Sequence, residues 1–395
     1  MVRLARQDTS LRTAARMCGV SRETVAKWVR RAEGKNLDEV DFGDRRTARE
    51  TTHNRTDAAV EQCVLATRKR LHDFSDLGES GAAAIHRQMR EWECPCLPAI
   101  RTINRILARF GAFGSERQKR PKAPPPAWYI PEVRDGKAEL DACDFIEDLR
   151  ITGEPDFTHV FNIVSAHGGL CDSFTMTQMV TDNVLTSLLA RWKQHGLPRY
   201  AQFDNGTVFC GPPKPDVVGR VIRLCLQLGV TPIFAPPREV GPQNKIEGYN
   251  ANWKRFVWRR FRFASREELA GQSKRYVDAR NEKNARKIAK APPRRPFPDN
   301  WKFHPDIIPP GKIIFIRRTD DTGFVTILQR RYLASANEPN RRVRCELDLS
   351  ARRLSLYRLS RSHPTDQPLL STHAYRPAGE ELPHPDAEQP PIPPF

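Results

Sequence analysis

The chain has 395 residues, 28% of them charged, and its 65 Lys+Arg against 47 Asp+Glu give a net charge of +18 and an isoelectric point near 9.8. That length calls for two to four domains, and that charge for a polyanionic partner. There is no apolar run long enough to span a bilayer and no secretory signal, and the nine cysteines are an odd, scattered set, so free thiols in a reducing cytoplasm are expected, with no membrane association.

In chain order, residues 1–50 hold a first DNA-binding module. Residues 10–33 read as helix, glycine turn, helix, the pattern of a helix-turn-helix. Ala14, Ala15, Val20, Val25 and Trp28 supply the packed face, Cys18-Gly19-Val20 the turn and Ser21 an N-cap. Arg22, Thr24 and Lys27 would then face a DNA groove; the plainer alternative is an ordinary helical hairpin.

Residues 51–113 read as a second helical, winged-helix-like DNA-binding unit. Its last helix, 98–110, carries Ile100, Ile103, Ile106 and Leu107 on one face and Arg101, Arg105 and Arg109 on another, so Arg101 and Arg105 are candidates for base or phosphate contact. His72, His86, Cys94 and Cys96 lie nearby, but Cys94-Pro95-Cys96 lacks the two-residue spacer of structural zinc sites, so zinc is not expected. Residues 114–130 are a basic, Pro-rich linker able to track DNA.

Over 131–264 the pattern becomes that of an α/β domain, with strands at 137–145, 158–165, 170–176, 200–204 and 231–235 and helices at 181–195, 215–228 and 242–262. Residues 128–240 carry 10 basic and 14 acidic side chains, whereas 241–300 carry 16 and 6. An acidic centre beside a basic track is what a cation site on a DNA-binding surface requires. Residues 265–300 read as a further basic helix and linker, 301–361 as a small β-barrel and 362–395 as a disordered Pro- and His-rich tail.

Three acids in the α/β domain stand at element ends. Asp144 closes a strand, Asp204 opens an Asp204-Asn205-Gly206 turn 60 residues on, and Glu247 starts a helix 43 residues later, after Gly241-Pro242-Gln243-Asn244-Lys245-Ile246. Phosphodiester attack by water or a 3′ hydroxyl needs both attacking and leaving oxygens stabilised, which two Mg²⁺ ions held by three carboxylates accomplish. Asp141 competes with Asp144; three apart on a strand, they face opposite sides. Asp172 and Asp182 read as surface or cap residues. On the helix opened by Glu247, Lys254 at i+7 shares the acid's face as a clamp on DNA, and Arg255, Arg259, Arg260 and Arg262 continue the positive surface.

These motifs, Asp144-Phe145, Asp204-Asn205-Gly206 and Pro242-Gln243-Asn244-Lys245-Ile246-Glu247, resemble those of the DDE transposase and retroviral-integrase family, most closely bacterial insertion-sequence integrases, over most of the chain. The 43-residue second interval exceeds the family's usual one, and the loop Cys210–Pro215 could hold the surplus. The resemblance implies a ribonuclease H-like core whose first and fourth strands lie side by side, with a helix-turn-helix before it and an SH3-like β-barrel after it. It implies Asp144, Asp204 and Glu247 as catalytic Mg²⁺ ligands, with Mn²⁺ as a substitute, and Gln243, Lys245, Lys254 and Arg255 as DNA contacts. The implied activity is cleavage of mobile-element ends and joining of 3′ hydroxyls to target DNA. Double-stranded DNA, other copies of the chain and a bacterial, nucleoid-associated setting follow, while the need for an accessory ATPase stays open. The alternatives are an inactive DNA-binding regulator or domesticated transposase, and a ribonuclease H-like nuclease that cuts without joining.

Overall fold

The computed structural model describes residues 1–43, 56–112, 127–236 and 244–375, which divide into two compact units, Met1–Glu61 and Gln62–Phe395. The first unit contains α1 (Val2–Arg6), α2 (Leu11–Cys18) and α3 (Arg22–Arg31). Ser10 Oγ accepts the Thr13 N–H at 3.2 Å and Ser21 Oγ the Thr24 N–H at 3.1 Å, so each of α2 and α3 begins on a serine cap. Gly19 ends α2 with φ 63°, a left-handed conformation that lets the chain turn at once into α3. Ala14, Ala15 and Val25 form one small core, and Val2, Ala32 and Val40 another against which Trp28 packs.

The second unit starts with a three-helix cluster. Helices α4 (Ala58–Phe74), α5 (Ala82–Glu91) and α6 (Ile100–Arg109) enclose Val64, Leu71, Ile85, Met89, Ile103, Ile106 and Leu107. Most of the expected linker lies outside the described residues, but its end does not behave as a linker. Trp128, Tyr129 and Ile130 are buried, and Tyr129 Oη donates to Gln202 Oε1 just before α7 (Pro131–Arg134). Three large apolar side chains in a row lose too much by staying in water to remain extended.

The centre of the unit runs β1 (Leu140–Leu149), β2 (Thr158–Ser165), β3 (Cys171–Met176), α8 (Thr181–His195), β4 (Tyr200–Phe203), α9 (Thr207–Cys210), α10 (Arg220–Gln227), β5 (Thr231–Phe234), α11 (Asn244–Trp253) and α12 (Arg266–Ile288). Then follow β6 (Lys312–Arg318), β7 (Phe324–Ile327), β8 (Arg330–Leu333), β9 (Arg342–Asp348), β10 (Arg353–Arg358) and β11 (Leu369–Ala374). Nine strands form one mixed sheet in the order β11-β10-β9-β6-β5-β4-β1-β2-β3, and β7-β8 is a separate hairpin. Strands β1, β4, β5 and β6 are mutually parallel; β2, β3 and β9 to β11 add antiparallel neighbours. One face is covered by α8 to α10 through Val184, Leu188, Trp192, Val221 and Leu224, the other by α7, α11 and α12 through Val133, Ile246, Trp253, Leu269 and Tyr276. Among the described residues no helix is long and apolar enough to cross a membrane.

Several expectations need correction. The C-terminal strands do not close an independent barrel: Ile314 and Phe315 of β6 pair with Ile233 and Phe234 of β5, which makes β6 and its partners an extension of the central sheet. The run Ile313-Ile314-Phe315-Ile316 explains this, because all four side chains are buried, alternately in the cores on the two faces, as in a central strand covered on both sides. The tail is not structureless from 362, since β11 pairs with β10 and Tyr375 is buried in the core. Backbone pairing supplies order there that composition does not announce. Helix α12 is no free linker helix; Leu269, Tyr276 and Val277 are buried, and the Asn281 side chain exchanges hydrogen bonds with the Cys171 backbone of β3 at 2.9 Å. The expected helix 215–228 begins only at Arg220, because Asp216 sits at φ 57°.

Candidate active site

The register of β1 and β4 brings the first two acids together. Leu140 pairs with Tyr200, Asp141 with Ala201 and Ala142 with Gln202, a constant offset of 60 residues. Continued past the paired residues, that offset sets Asp144 level with Asp204, on neighbouring parallel strands about 4.8 Å apart. Asp204 directly follows β4, but Asp144 does not close its strand as expected, because β1 runs on to Leu149 in its pairing with β2. Phe145 supports this edge through rings at 4.9 Å from Phe161 and 5.7 Å from Phe209.

Asp144 is half-buried. Its Oδ2 accepts Asn250 Nδ2 at 2.8 Å, and Asn250 Oδ1 in turn accepts Asn162 Nδ2 at 2.8 Å. Asp204 Oδ1 accepts the Gly206 N–H at 2.8 Å, which closes the Asp-Asn-Gly turn. Burial, aided by repulsion from Asp204 and more weakly from Glu147 and Glu247, pushes the Asp144 carboxyl up to about 7. Burial raises that of Asp204 as well. Two adjacent acids that resist ionisation together form a site that a cation would relieve.

Asp141 is the opposite case. It lies fully buried on the other face, where Arg191 Nε donates to its Oδ2 at 2.9 Å and Arg294 Nη2 to its Oδ1 at 2.5 Å. Those guanidinium groups hold its carboxyl well below the usual carboxylate range. Asp172, expected at the surface, is mostly buried and accepts from Arg191 of the same network. Nothing in the sequence around Arg191 singles it out, yet its charge has to be matched inside the core. Asp182 is exposed and pairs with Arg220 at 2.7 Å.

Glu247 lies half-buried in the first turn of α11, three residues before Asn250. It is within electrostatic range of Asp144, yet among the described residues no group of three or more His, Cys, Asp or Glu side chains is gathered closely enough to hold a metal ion. The oxygen donors of Asp144 and Asp204 fit a hard cation that keeps several waters; they do not form a finished three-carboxylate shell.

The candidate DNA contacts fall in separate places. Arg22 and Lys27 are exposed on α3, with Lys27 Nζ 4.9 Å from the Trp28 ring centre, while Thr24 is half-buried and hydrogen-bonds Ser21 Oγ at 2.8 Å through its hydroxyl. Arg101 and Arg105 are exposed on α6. Gln243 lies outside the described residues. Lys245 is half-buried near Arg280 and Lys287 of α12, and burial with their repulsion pushes its pKa down. The α register of α11 stops at Trp253, and Lys254–Trp258 is a π-helical turn, so Lys254 does not continue the face of Glu247 as a straight α-helix would place it. Arg255 is exposed with its guanidinium over the Phe256 ring at 5.0 Å, whereas Arg260 is half-buried and donates to the Ser75 carbonyl.

Two functional neighbours have only faint sequence signals. Asn162 is the lone amide side chain in the wholly buried β2, and a buried amide needs hydrogen-bond partners. Arg317 of β6 donates to Asn205 Oδ1 at 2.8 Å across 112 residues of chain, a contact that no local pattern reveals.

No family model matches the chain, and neither does any curated protein. Among solved structures it is similar to a chain of the simian T-cell lymphotropic virus intasome in complex with PP2A regulatory subunit B56 gamma, at 14% identity and a TM-score of 0.29 over 52% of this chain and 66% of that one. It is also similar to the catalytic core domain of BIV integrase, at 16% identity and a TM-score of 0.27 over 35% and 80% of the two chains.

Proposed function

We propose that this chain is a Mg²⁺-dependent DNA recombinase of the DDE type, which cleaves mobile-element ends and joins their 3′ hydroxyls to target DNA. The observation that carries the reading is the pair Asp144–Asp204: level on neighbouring parallel strands, partly desolvated and mutually repelling, whereas the neighbouring Asp141 is neutralised by two arginines. Asp144 and Asp204 would hold the cation, with Glu247 approaching from α11. When bound, Mg²⁺, or Mn²⁺ in its place, stabilises charge on phosphodiester oxygens and makes water or a 3′ hydroxyl nucleophilic at neutral pH. Asn250 orients Asp144 through its amide, and the Gly206 N–H orients Asp204. Arg22, Thr24 and Lys27 of α3 read the element ends in a helix-turn-helix arrangement, and Arg101 and Arg105 of α6 supply further contacts. Gln243, Lys245, Lys254 and Arg255 hold the DNA backbone, and the protein acts as a multimer on two DNA ends.

The cation is testable without activity. At pH 8, adding 10 mM MgCl₂ to the metal-free protein should raise its thermal unfolding midpoint, because a ligand of the folded state alone stabilises it by mass action. The same addition should leave Asp204→Asn nearly unmoved. Equal shifts in both proteins would place the cation elsewhere.

Replacing Lys254 and Arg255 together with Ala should flatten the dependence of log affinity on log salt by about 0.9 for each duplex phosphate that the two side chains neutralise, with little change in sequence preference. Titration of a fluorescent duplex at several salt concentrations measures it, and an unchanged slope would assign both side chains to solvent.

A further inference from the structure

Beside the Asp204-Asn205-Gly206 turn lies a cleft of about 660 Å³. Its walls come from distant parts of the chain: Asn205 and Lys214 on one side, Pro236 after β5, and Arg317 and Phe324 from β6 and β7. Arg318 also lines it, exposed, but the half-buried charge is that of Arg317. Its Nη1 donates to the Ile316 carbonyl at 2.9 Å and its Nη2 to Asn205 Oδ1 at 2.8 Å, and the Phe315 ring lies 5.0 Å from the guanidinium. Every one of these partners is neutral. Burial pushes the Arg317 pKa down and no carboxylate offsets it, so the cation has lost water without gaining an anion.

The one carboxylate among the described lining residues, Asp320, is already committed. Its Oδ1 accepts the N–H groups of Thr322 at 3.0 Å and Phe324 at 2.9 Å, and its Oδ2 accepts Arg331 Nη2 at 2.6 Å. The uncompensated charge of the cleft is therefore positive, and exposed Lys214 adds to it at the rim. The volume suits one nucleotide and is far too small for a duplex. Pro236 and Phe324 offer apolar surface to a sugar or base, and the arginine fork matches phosphate oxygens.

We propose that this cleft binds a phosphate group of a nucleic-acid strand, with Arg317 and Lys214 as its cationic ligands and the Pro236–Phe324 wall against the adjoining nucleoside. That the strand is the one flanking the phosphodiester at Asp144 and Asp204 rests on the function proposed above. The tie is physical: Asn205, which Arg317 grips, adjoins Asp204 in the same turn.

The test is calorimetric titration of the full chain with thymidine 3′,5′-bisphosphate, against thymidine and inorganic phosphate. The bisphosphate should bind more tightly than either comparator. Lys214→Glu, at an exposed position, should weaken it about tenfold or more, as removal of a charge-assisted phosphate hydrogen bond does. Arg317→Lys, with its fold checked by thermal unfolding, should weaken it similarly because lysine has no planar fork. Bisphosphate binding unchanged in Lys214→Glu, or thymidine or inorganic phosphate binding as tightly, overturns the proposal. A chain that binds the bisphosphate as expected but neither cuts nor joins DNA with Mg²⁺ removes the proposed function and leaves the cleft standing. A chain that joins DNA while Lys214→Glu binds the bisphosphate like wild type removes the cleft alone.

Discussion

Asp204→Asn should abolish cleavage and joining of DNA ends, by about a thousandfold or more, while the protein folds and binds DNA as before. A metal ion contributes several kcal/mol of charge stabilisation to phosphoryl transfer, and each ~1.4 kcal/mol is a factor of ten in rate. Asparagine is isosteric, so its side-chain oxygen can still accept the Gly206 N–H that closes the turn at 2.8 Å, and the local backbone has no reason to move. What disappears is one negative charge from the pair that Asp144 of β1 and Asp204, just after β4, make. Binding and chemistry should therefore separate: an unchanged dissociation constant on duplex DNA, and no nicked or joined product on a gel with Mg²⁺. Joining within a few-fold of wild type would end the assignment of these carboxylates.

The pairing of Asp144 with Asp204 is legible in the sequence because its cause is short-range and periodic. The strand spans around Asp144 and Asp204 follow from apolar runs bounded by turns, and once the two strands are parallel neighbours, the 60-residue interval decides which residues stand level. The choice between Asp141 and Asp144 is legible only as a choice of face. What neutralises Asp141 comes from Arg191 on α8 and Arg294 beyond α12, and no pattern along the sequence links positions 141, 191 and 294. Asp172 reads as a surface residue for the same reason, since its burial follows from Arg191 and not from its own surroundings in the chain. The C-terminal strands are recognisable as strands, but their alternation with turns suggests a barrel that does not form. The clue to their place is Ile313-Ile314-Phe315-Ile316, whose lack of alternation demands cover on both faces and hence a position inside the larger sheet. The π turn at Lys254 carries no proline or glycine to announce it, so the sequence reads as helix through to 262.

Asp141→Asn should destabilise the second unit by about 3–5 kcal/mol, the usual cost of removing one partner from a buried ion pair, whereas Asp144→Asn, three residues along the same strand, should stabilise the metal-free protein at pH 8. The Asp141 and Arg191 side chains are both 0% exposed and Arg294 is 12% exposed, so the substitution leaves two guanidinium groups in the core with only the Asp172 carboxylate to share. Asparagine could keep hydrogen bonds to the Ser165 hydroxyl and Trp192 Nε1, which now lie 3.2 Å from the carboxylate. The charge is what it cannot replace. The two acids should also respond to pH with opposite sign. Asp141 has a depressed pKa in the folded state, so its stabilisation is complete above the unfolded value of about 4 and disappears as the pH falls below it. Asp144 has a raised one, so ionising it costs stability, and that cost builds as the pH rises from the unfolded value of about 4 and is complete above about 7. Urea unfolding of the three proteins at pH 5 and pH 8 in EDTA measures both effects. Asp141→Asn should lose stability at either pH, while Asp144→Asn should exceed wild type by a larger margin at pH 8 than at pH 5. If instead Asp144→Asn is the strongly destabilised variant and Asp141→Asn is neutral, Asp141 is not the structural acid of β1, and the site has to be rebuilt on the other face of the sheet.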